Sequence, residues 1–277
     1  MEQGNLPGQP AGANPAEAVV VEQPKANDDI NPDGHVGTEE LEKTDRVLVQ
    51  QLGEYSEQGN KCCCCCNNYE GENEFEITDR FGHQIFHAKE ESGFCGRQCC
   101  NSLRGFEMFL SDRQGKDCIK ISRPTRFDNC LICPCLLQSM VVESPIGVVV
   151  GKVEQKLTLF SPEYEVLDAD DTPVFNIEGP STCKCCSCGC CCGGSRNIVF
   201  KIISKTNNEQ VGSISKSWNG VLKDVLPKAD RFSVDFPPDI DIGMKASLLA
   251  ATFLIDYLHF EADPGDENQD DNDYGNN

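Results

Sequence analysis

Residues 164–177 read Tyr-Glu-Val-Leu-Asp-Ala-Asp-Asp-Thr-Pro-Val-Phe-Asn-Ile, an apolar-alternating run followed by a turn cluster and a second apolar run. Alternation with a period of two is typical of a half-buried strand, and a cluster rich in Asp favours a tight turn. The same arrangement recurs at residues 75–86, 106–121 and 198–214. These hairpins predict an antiparallel all-β domain. Because an open sheet of this size would leave exposed edges, we expect the strands to close into a barrel.

One segment, residues 244–260, departs from the strand pattern. Ala, Leu and Met replace β-branched residues there, which predicts a helix. Only ten residues between Lys245 and Asp256 run without a charge, whereas a bilayer-spanning helix needs roughly 20 apolar residues. We therefore expect a helix buried inside the barrel, with a single membrane-spanning helix as the alternative. Its candidate core or membrane residues are Met244, Leu248, Leu249, Phe253, Leu254, Ile255 and Phe260.

The two ends of the chain differ from its middle in charge. Residues 1–45 contain ten acidic and two basic side chains, and residues 261–277 contain seven acidic and no basic ones. Both ends have few large apolar side chains, so they cannot bury enough surface to offset the entropy lost on ordering. The sequence predicts a disordered acidic arm at 1–45, a folded domain at 46–261 and a disordered acidic tail at 262–277.

Composition also limits the partners and the compartment. The folded part carries no basic stripe of the kind that binds phosphates, which argues against nucleic acid and against a purely electrostatic attraction to anionic lipid. The N-terminus lacks the pattern of a secretory signal, and Glu2 stands where N-myristoylation requires Gly. We therefore expect a cytosolic chain. In a reducing compartment, nineteen cysteines favour acylation or metal binding over disulfides.

Several short motifs resemble those of the phospholipid scramblase family. The most specific is residues 212–220, Gly-Ser-Ile-Ser-Lys-Ser-Trp-Asn-Gly, which is similar to the family pattern G-x-I-S-K-x-W-x-G. Other matches follow in the family's order: Ser122-Arg123-Pro124, Cys133-Pro134-Cys135-Leu136-Leu137-Gln138, Pro145-x-Gly147, Glu178-Gly179-Pro180, Ala229-Asp230-x-Phe232, Phe236-Pro237-x-Asp239 and Phe253-Leu254-Ile255-Asp256. The resemblance implies a tubby-like barrel around a central apolar helix. It also implies calcium-activated, ATP-independent, bidirectional movement of phospholipids between leaflets of the plasma membrane.

The cysteines occur in groups at residues 62–66, 95–100, 130–135 and 183–192. In the family, a cluster around a Cys-Pro-Cys step is S-palmitoylated, and Cys133 and Cys135 match part of it. One acyl chain gives only marginal membrane binding, so a cluster is needed for stable anchoring. The candidate acylated residues are Cys130, Cys133, Cys135, Cys185, Cys186 and Cys188. The Cys-x-x-Cys spacings among them also suit half of a zinc site, so metal binding and a merely tolerated cysteine-rich loop stay as alternatives.

Four aspartates, Asp230, Asp235, Asp239 and Asp241, fall within twelve residues. Ca²⁺ takes six to eight oxygen ligands, so a carboxylate cluster is its natural host, and the resemblance implies a calcium loop here. The family's loop begins with Asp at the position of Lys228, which removes one ligand and adds a cation. The alternative is that these acids form the solvated face of a strand.

No catalytic signature stands out, and we expect a protein that is not an enzyme. Residues 147–152 have three residues between their glycines, where a phosphate-binding loop requires four, which disfavours ATP-driven transport. The sequence therefore predicts a lipid-anchored phospholipid scramblase at the cytosolic face of the plasma membrane, with the phospholipid membrane as its partner. Protein partners of the N-terminal arm and homo-oligomers are further expectations. The alternatives are a tubby-like, membrane-tethered adaptor without transport activity and a metal-binding regulator.

Overall fold

A closed antiparallel barrel forms the body of the protein. The computed structural model describes Met1 and residues 38–52, 71–94, 96–97, 104–125, 137–180, 197–217 and 231–260. Within these residues, twelve strands pair each with its neighbours in sequence, and the first pairs with the last. The strands are β1 (Arg46–Gln51), β2 (Glu74–Asp79), β3 (Gln84–Glu91), β4 (Phe106–Ser111), β5 (Asp117–Arg123), β6 (Ser139–Glu143), β7 (Val149–Gln155), β8 (Glu163–Asp168), β9 (Pro173–Glu178), β10 (Asn197–Ser204), β11 (Gln210–Ser217) and β12 (Arg231–Asp235). The helices are α1 (Glu39–Glu42) and α2 (Ile242–His259). The predicted barrel enclosing a C-terminal helix is confirmed.

Three hairpins close with the same turn, each built on an aspartate at the end of a strand. The side chains of Asp79, Asp112 and Asp168 each accept hydrogen bonds from the backbone N–H groups two and four residues later, at 2.8–3.0 Å. The residue three positions after each aspartate is left-handed: Gly82 (φ 85°), Gly115 (φ 78°) and Asp171 (φ 60°). This combination belongs to three-residue hairpin loops, in which a left-handed residue follows a type I turn. The turn clusters seen in the sequence therefore set where these strands end.

The helix α2 fills the interior of the barrel. Sixteen of its 18 residues are buried, including every candidate core residue except Phe260, which lies just past the helix and is half-buried. A helix that is apolar on all sides must be covered on all sides, and the barrel wall does this. The rings of Phe253 and Phe75 on β2, for example, lie with centroids 5.0 Å apart. The prediction of a buried helix thus fits the structure. Among the described residues, no helix combines the length and the apolarity that crossing a bilayer requires.

The helix and the wall lie in close contact at Gly151 on β7. A Cβ atom at this position would collide with Ser247 Oγ and lie 2.8 Å from the carbonyl oxygen of Leu167. At the start of α2, the Asp241 side chain accepts a hydrogen bond from the backbone N–H of Met244 at 3.0 Å. This N-cap explains why the helix begins at Ile242, two residues before the predicted start.

Residues just before 46, the predicted start of the folded domain, contact α2. Leu41 of α1 is fully buried. The ammonium of Lys245 in α2 donates hydrogen bonds to the carbonyl oxygens of Leu41 (3.0 Å), Glu42 (2.7 Å) and Thr44 (2.8 Å). A lysine that satisfies the last carbonyls of a helix stabilises its C-terminus. Composition does not reveal this contact, because one leucine and three backbone carbonyls make it. The boundary after residue 45 stays a prediction. The rest of the predicted arm, residues 2–37, and the predicted tail lie outside the described residues.

Candidate functional site

The barrel has two ends, and its connections alternate between them because consecutive strands run in opposite directions. We call the end at which α2 starts the turn end, and the end at which α2 finishes the loop end. The turn end carries the connections that follow the even-numbered strands, including the three aspartate turns. The loop end carries the connections that follow the odd-numbered strands.

All four cysteine groups fall in connections of the loop end. They lie between β1 and β2, between β3 and β4, between β5 and β6, and between β9 and β10. The six predicted acylation residues, Cys130, Cys133, Cys135, Cys185, Cys186 and Cys188, lie outside the described residues, but the strands that flank them end on this same side. The cysteine groups could not be assigned to one end of the barrel from the sequence, because the number and direction of the strands were not known.

Cys118 is the one cysteine outside these groups. It lies on β5 and is buried, and burial together with the nearby charge of Asp112 raises the pKa of its thiol to about 11. A thiol that stays protonated at neutral pH is a poor nucleophile. Cys118 is therefore part of the core rather than a candidate for modification.

A buried polar network closes one side of the loop end. The side chains of Arg104 and Glu90 are both 0% exposed and form a two-pronged pair, at 2.7 Å (Nε–Oε1) and 3.1 Å (Nη2–Oε2). The hydroxyl of Tyr257, near the end of α2, donates to Glu90 Oε2 at 2.7 Å and accepts from Asn73 Nδ2 at 3.1 Å. Burial alone would raise the pKa of Glu90, but the hydrogen bonds and charge of Arg104, with the hydroxyls of Ser92 and Tyr257, hold it below its ordinary value. Glu90 is thus an ionised carboxylate that ties α2 to the wall.

Motif residues that are distant in sequence meet in the same region. Arg123 donates two hydrogen bonds to Gln138 Oε1, from Nε at 3.2 Å and from Nη2 at 2.9 Å. On the opposite wall, Lys216 on β11 lies 3.6 Å from Asp256 in α2 and 5.0 Å from the ring centroid of Phe232. Three of the family-like motifs, at residues 212–220, 229–232 and 253–256, therefore contribute side chains to one cluster. Their shared task in this fold is to hold the end of the helix inside the barrel.

The last residues around α2 complete this closure. His259 Nε2 and the hydroxyl of Tyr164 on β8 are hydrogen-bonded at 2.6 Å, and the Lys216 ammonium lies 3.9 Å from the ring centroid of Phe260. Without partners, the side chains of Asp256 and His259 would be costly to bury in an apolar interior. The structure gives each of them a partner on the barrel wall.

The predicted calcium ligands are distributed differently from a compact cluster. Asp235, at the end of β12, is paired with Arg46 on β1, and Asp241 caps α2. Asp239 lies in the turn between them with φ 55°, and Asp230 lies outside the described residues. In the described part of the chain, no group of three or more His, Cys, Asp or Glu side chains is placed to hold a metal ion. Calcium binding by these aspartates stays a prediction.

Comparison with known proteins identifies the family. A family model described as Scramblase matches residues 26–262. Human phospholipid scramblase 2 is 36% identical over 225 residues, covering 81% of this chain and 70% of the relative. Human phospholipid scramblase 1 is 35% identical over 226 residues, covering 82% and 66%. Human phospholipid scramblase family member 5 is 36% identical over 194 residues, covering 69% and 68%.

Among solved structures, an X-ray structure of an Arabidopsis thaliana protein covers 76% of this chain and 91% of its own, at 13% identity and a TM-score of 0.38. This likeness is too distant to bear on function. The family match, in contrast, spans all twelve strands and α2, and the relatives are identical to this chain at about a third of the aligned positions. The chain belongs to the scramblase family.

Proposed function

We propose that this protein moves phospholipids between the two leaflets of the plasma membrane, in both directions, without ATP and in response to Ca²⁺. The observation that carries the proposal is the match of the whole barrel and α2 to a family whose similar members are named phospholipid scramblases. Redistribution of lipids down their gradients makes and breaks no covalent bond. With this function, the protein would not be an enzyme.

The proposal includes attachment to the cytosolic face of the membrane by S-acylation at the loop end. Stable anchoring needs more than one acyl chain. The two connections that hold the six candidate cysteines leave the barrel at the same end, so chains attached in both could enter one bilayer together. Acylation would explain why the cysteine groups share one end of the barrel, because all anchors must face the same bilayer. A metal-binding or redox role would not require this arrangement.

The filled barrel limits how a lipid could cross. A zwitterionic headgroup needs a polar path through hydrocarbon, and the interior of the barrel is occupied by the buried side chains of α2. We therefore place the lipid path outside the barrel, either between copies of the protein or through bilayer that is thinned around the loop end. Oligomer formation is part of the first of these two routes.

A membrane-tethered adaptor without transport activity is the second candidate. It is favoured by the way α2 is fixed at both ends, by Lys245 at the turn end and by Glu90 and Lys216 at the loop end. A helix held in this way stabilises a rigid binding module. Such a module could bind lipids and proteins through its surface and its arms.

Reconstitution separates the two candidates. Purified full-length protein would be placed in liposomes that contain a fluorescent phospholipid in both leaflets, and dithionite would then be added outside. If the protein transports lipid, dithionite in the presence of Ca²⁺ should quench well over half of the fluorescence, whereas protein-free liposomes lose only the half that comes from the outer leaflet. Chelation of Ca²⁺ should return the quenched fraction to half. Quenching that stops at half in both conditions, with protein bound to the vesicles, would establish the adaptor.

Acyl exchange in cells tests the anchor. Hydroxylamine cleaves the thioester of an S-acylated cysteine and exposes its thiol for labelling. We expect at least two such thiols in the wild-type chain and none in a variant in which the six candidate cysteines are Ser. Cys118→Ser is the matched control and should leave the labelling unchanged, because that thiol is buried. Wild-type protein without hydroxylamine-sensitive thiols would remove the anchor from the proposal.

A further inference from the structure

The connection between β7 and β8 exposes an apolar tip at the loop end. In this segment, residues 156–162, the exposed fractions are 46% for Leu157, 79% for Leu159 and 74% for Phe160. Large apolar side chains gathered on the surface of a soluble domain mark a contact site. The three side chains fall within four consecutive residues of one connection.

The base of this segment is held firmly to the barrel. The backbone N–H of Lys156 donates to the carbonyl of Glu163 at 2.8 Å, which closes the loop at its two ends. The N–H of Gly179, just after β9, donates to the carbonyl of Pro162 at 2.8 Å. A Cβ at Gly179 would lie 2.5 Å from Pro162 Cγ, so the loop and the neighbouring strand end pack in close contact. The apolar tip is therefore presented on a fixed base.

We propose that this tip, Leu157, Leu159 and Phe160, inserts into the apolar layer of a phospholipid bilayer and orients the barrel with its loop end toward the membrane. The proposal deepens the proposed function and rests on it for the presence of a membrane partner. The position of the tip supports it, since the four connections that contain the cysteine groups leave the barrel at the same end. An acyl chain attached to any of those connections would bring this tip to the bilayer surface.

The size of the tip favours a bilayer over a protein. A stable protein interface covers roughly 800 Å² on each partner. Three partly exposed side chains supply about half of that, since even a large aromatic side chain buries only about 150–250 Å². A bilayer needs no complementary shape, and short apolar segments with polar flanks are suited to its interface. Here the flanks are Lys156 and Glu163, whose charges can stay at the level of the headgroups.

Tryptophan placement tests the orientation directly. Full-length Leu159→Trp protein would be mixed with phosphatidylcholine vesicles whose acyl chains are brominated, and compared with Phe81→Trp. Phe81 is the matched control because it is 71% exposed in a turn at the opposite end of the barrel. Native Trp218 contributes the same background to both variants. We expect a blue shift and quenching from Leu159→Trp and neither from Phe81→Trp. Equal signals from the two variants, or no quenching in either, would overturn the proposal.

A charge-insertion pair gives a second measurement. In co-sedimentation of unacylated protein with the same vesicles, the double variant Leu159→Asp/Phe160→Asp should lose about tenfold in binding, whereas Phe81→Asp should not change. If the double variant instead alters the oligomeric state in solution and leaves vesicle binding intact, the tip is a protein interface and the proposal is wrong. Insertion without lipid transport in the reconstitution assay would refute the transport alone. Transport without insertion would refute the orientation alone.

Discussion

Replacing Arg104 by Met should destabilise the domain by about 3–5 kcal/mol, because it leaves the carboxylate of Glu90 buried without its cation. Both side chains are 0% exposed, so water cannot take the place of the guanidinium. The hydroxyl of Tyr257 and the backbone N–H of Asn73 still donate to Glu90, which places the expected loss near 3 kcal/mol. A domain with a net stability of about 5–15 kcal/mol would lose a large part of it.

Urea unfolding followed by circular dichroism would measure this loss at pH 7. Arg80→Met is the matched control, because Arg80 and Asp45 form a pair at 3.1 Å whose side chains are 54% and 71% exposed. We expect the control to lose less than about 1 kcal/mol. The double variant Arg104→Met/Glu90→Gln should recover part of the stability, since it removes the unpaired charge.

The pH dependence of the stability gives a second test of the Arg104–Glu90 pair. The pKa of Glu90 lies below its ordinary value in the folded protein, so its contribution is present above the pKa of an unfolded glutamate and is lost as the pH falls through the lowered value. In Arg104→Met, the guanidinium no longer offsets the effect of burial, so the pKa of Glu90 should rise. Glu90 is then neutral in mild acid, and the loss of stability relative to the wild type should be smaller there. A loss below about 1 kcal/mol, or an equal loss with Glu90→Gln in the background, would refute the assigned role of the pair.

Other consequences of the fold can be measured independently. Gly151→Ala should lower the urea midpoint strongly because its Cβ would collide with α2, whereas Gly93→Ala, with no heavy atom within 4 Å of its Cβ, should not; equal midpoints would contradict the close approach. Cys118 should resist N-ethylmaleimide at pH 7.5 and react only on unfolding, because burial raises the pKa of its thiol to about 11; native labelling seen by peptide mass spectrometry would disprove this. In calorimetric titrations with Ca²⁺, Lys228→Asp should tighten binding and Asp239→Ala should weaken it. Identical isotherms for both variants and the wild type would place any calcium response elsewhere.

The four hairpins at residues 75–86, 106–121, 164–177 and 198–214 could be predicted from the sequence because their signals are local. An aspartate that accepts from the N–H groups two and four residues later needs only its own turn, and Gly82 and Gly115 supply the left-handed residue that the turn requires. The character of residues 244–260 was equally readable, since a helix that is apolar on every side has to be covered on every side.

The side chains that hold the helix could not be assigned from the sequence. Tyr257 and Glu90 are 167 positions apart, and Lys245 lies 204 positions from Leu41. By itself, a charged residue such as Arg104 is expected at the surface. It is buried because closure of the barrel brings the carboxylate of Glu90 and the ring of Tyr257 to it.

The common side of the cysteine groups was likewise decided by the fold. Spacing within a group indicates acylation or metal binding but says nothing about the direction in which the flanking strands run. Only the order and number of the strands place all four groups at one end, together with the exposed tip at Leu159 and Phe160. The physical reason is that each antiparallel strand reverses the chain, so the side on which a connection emerges depends on every strand before it.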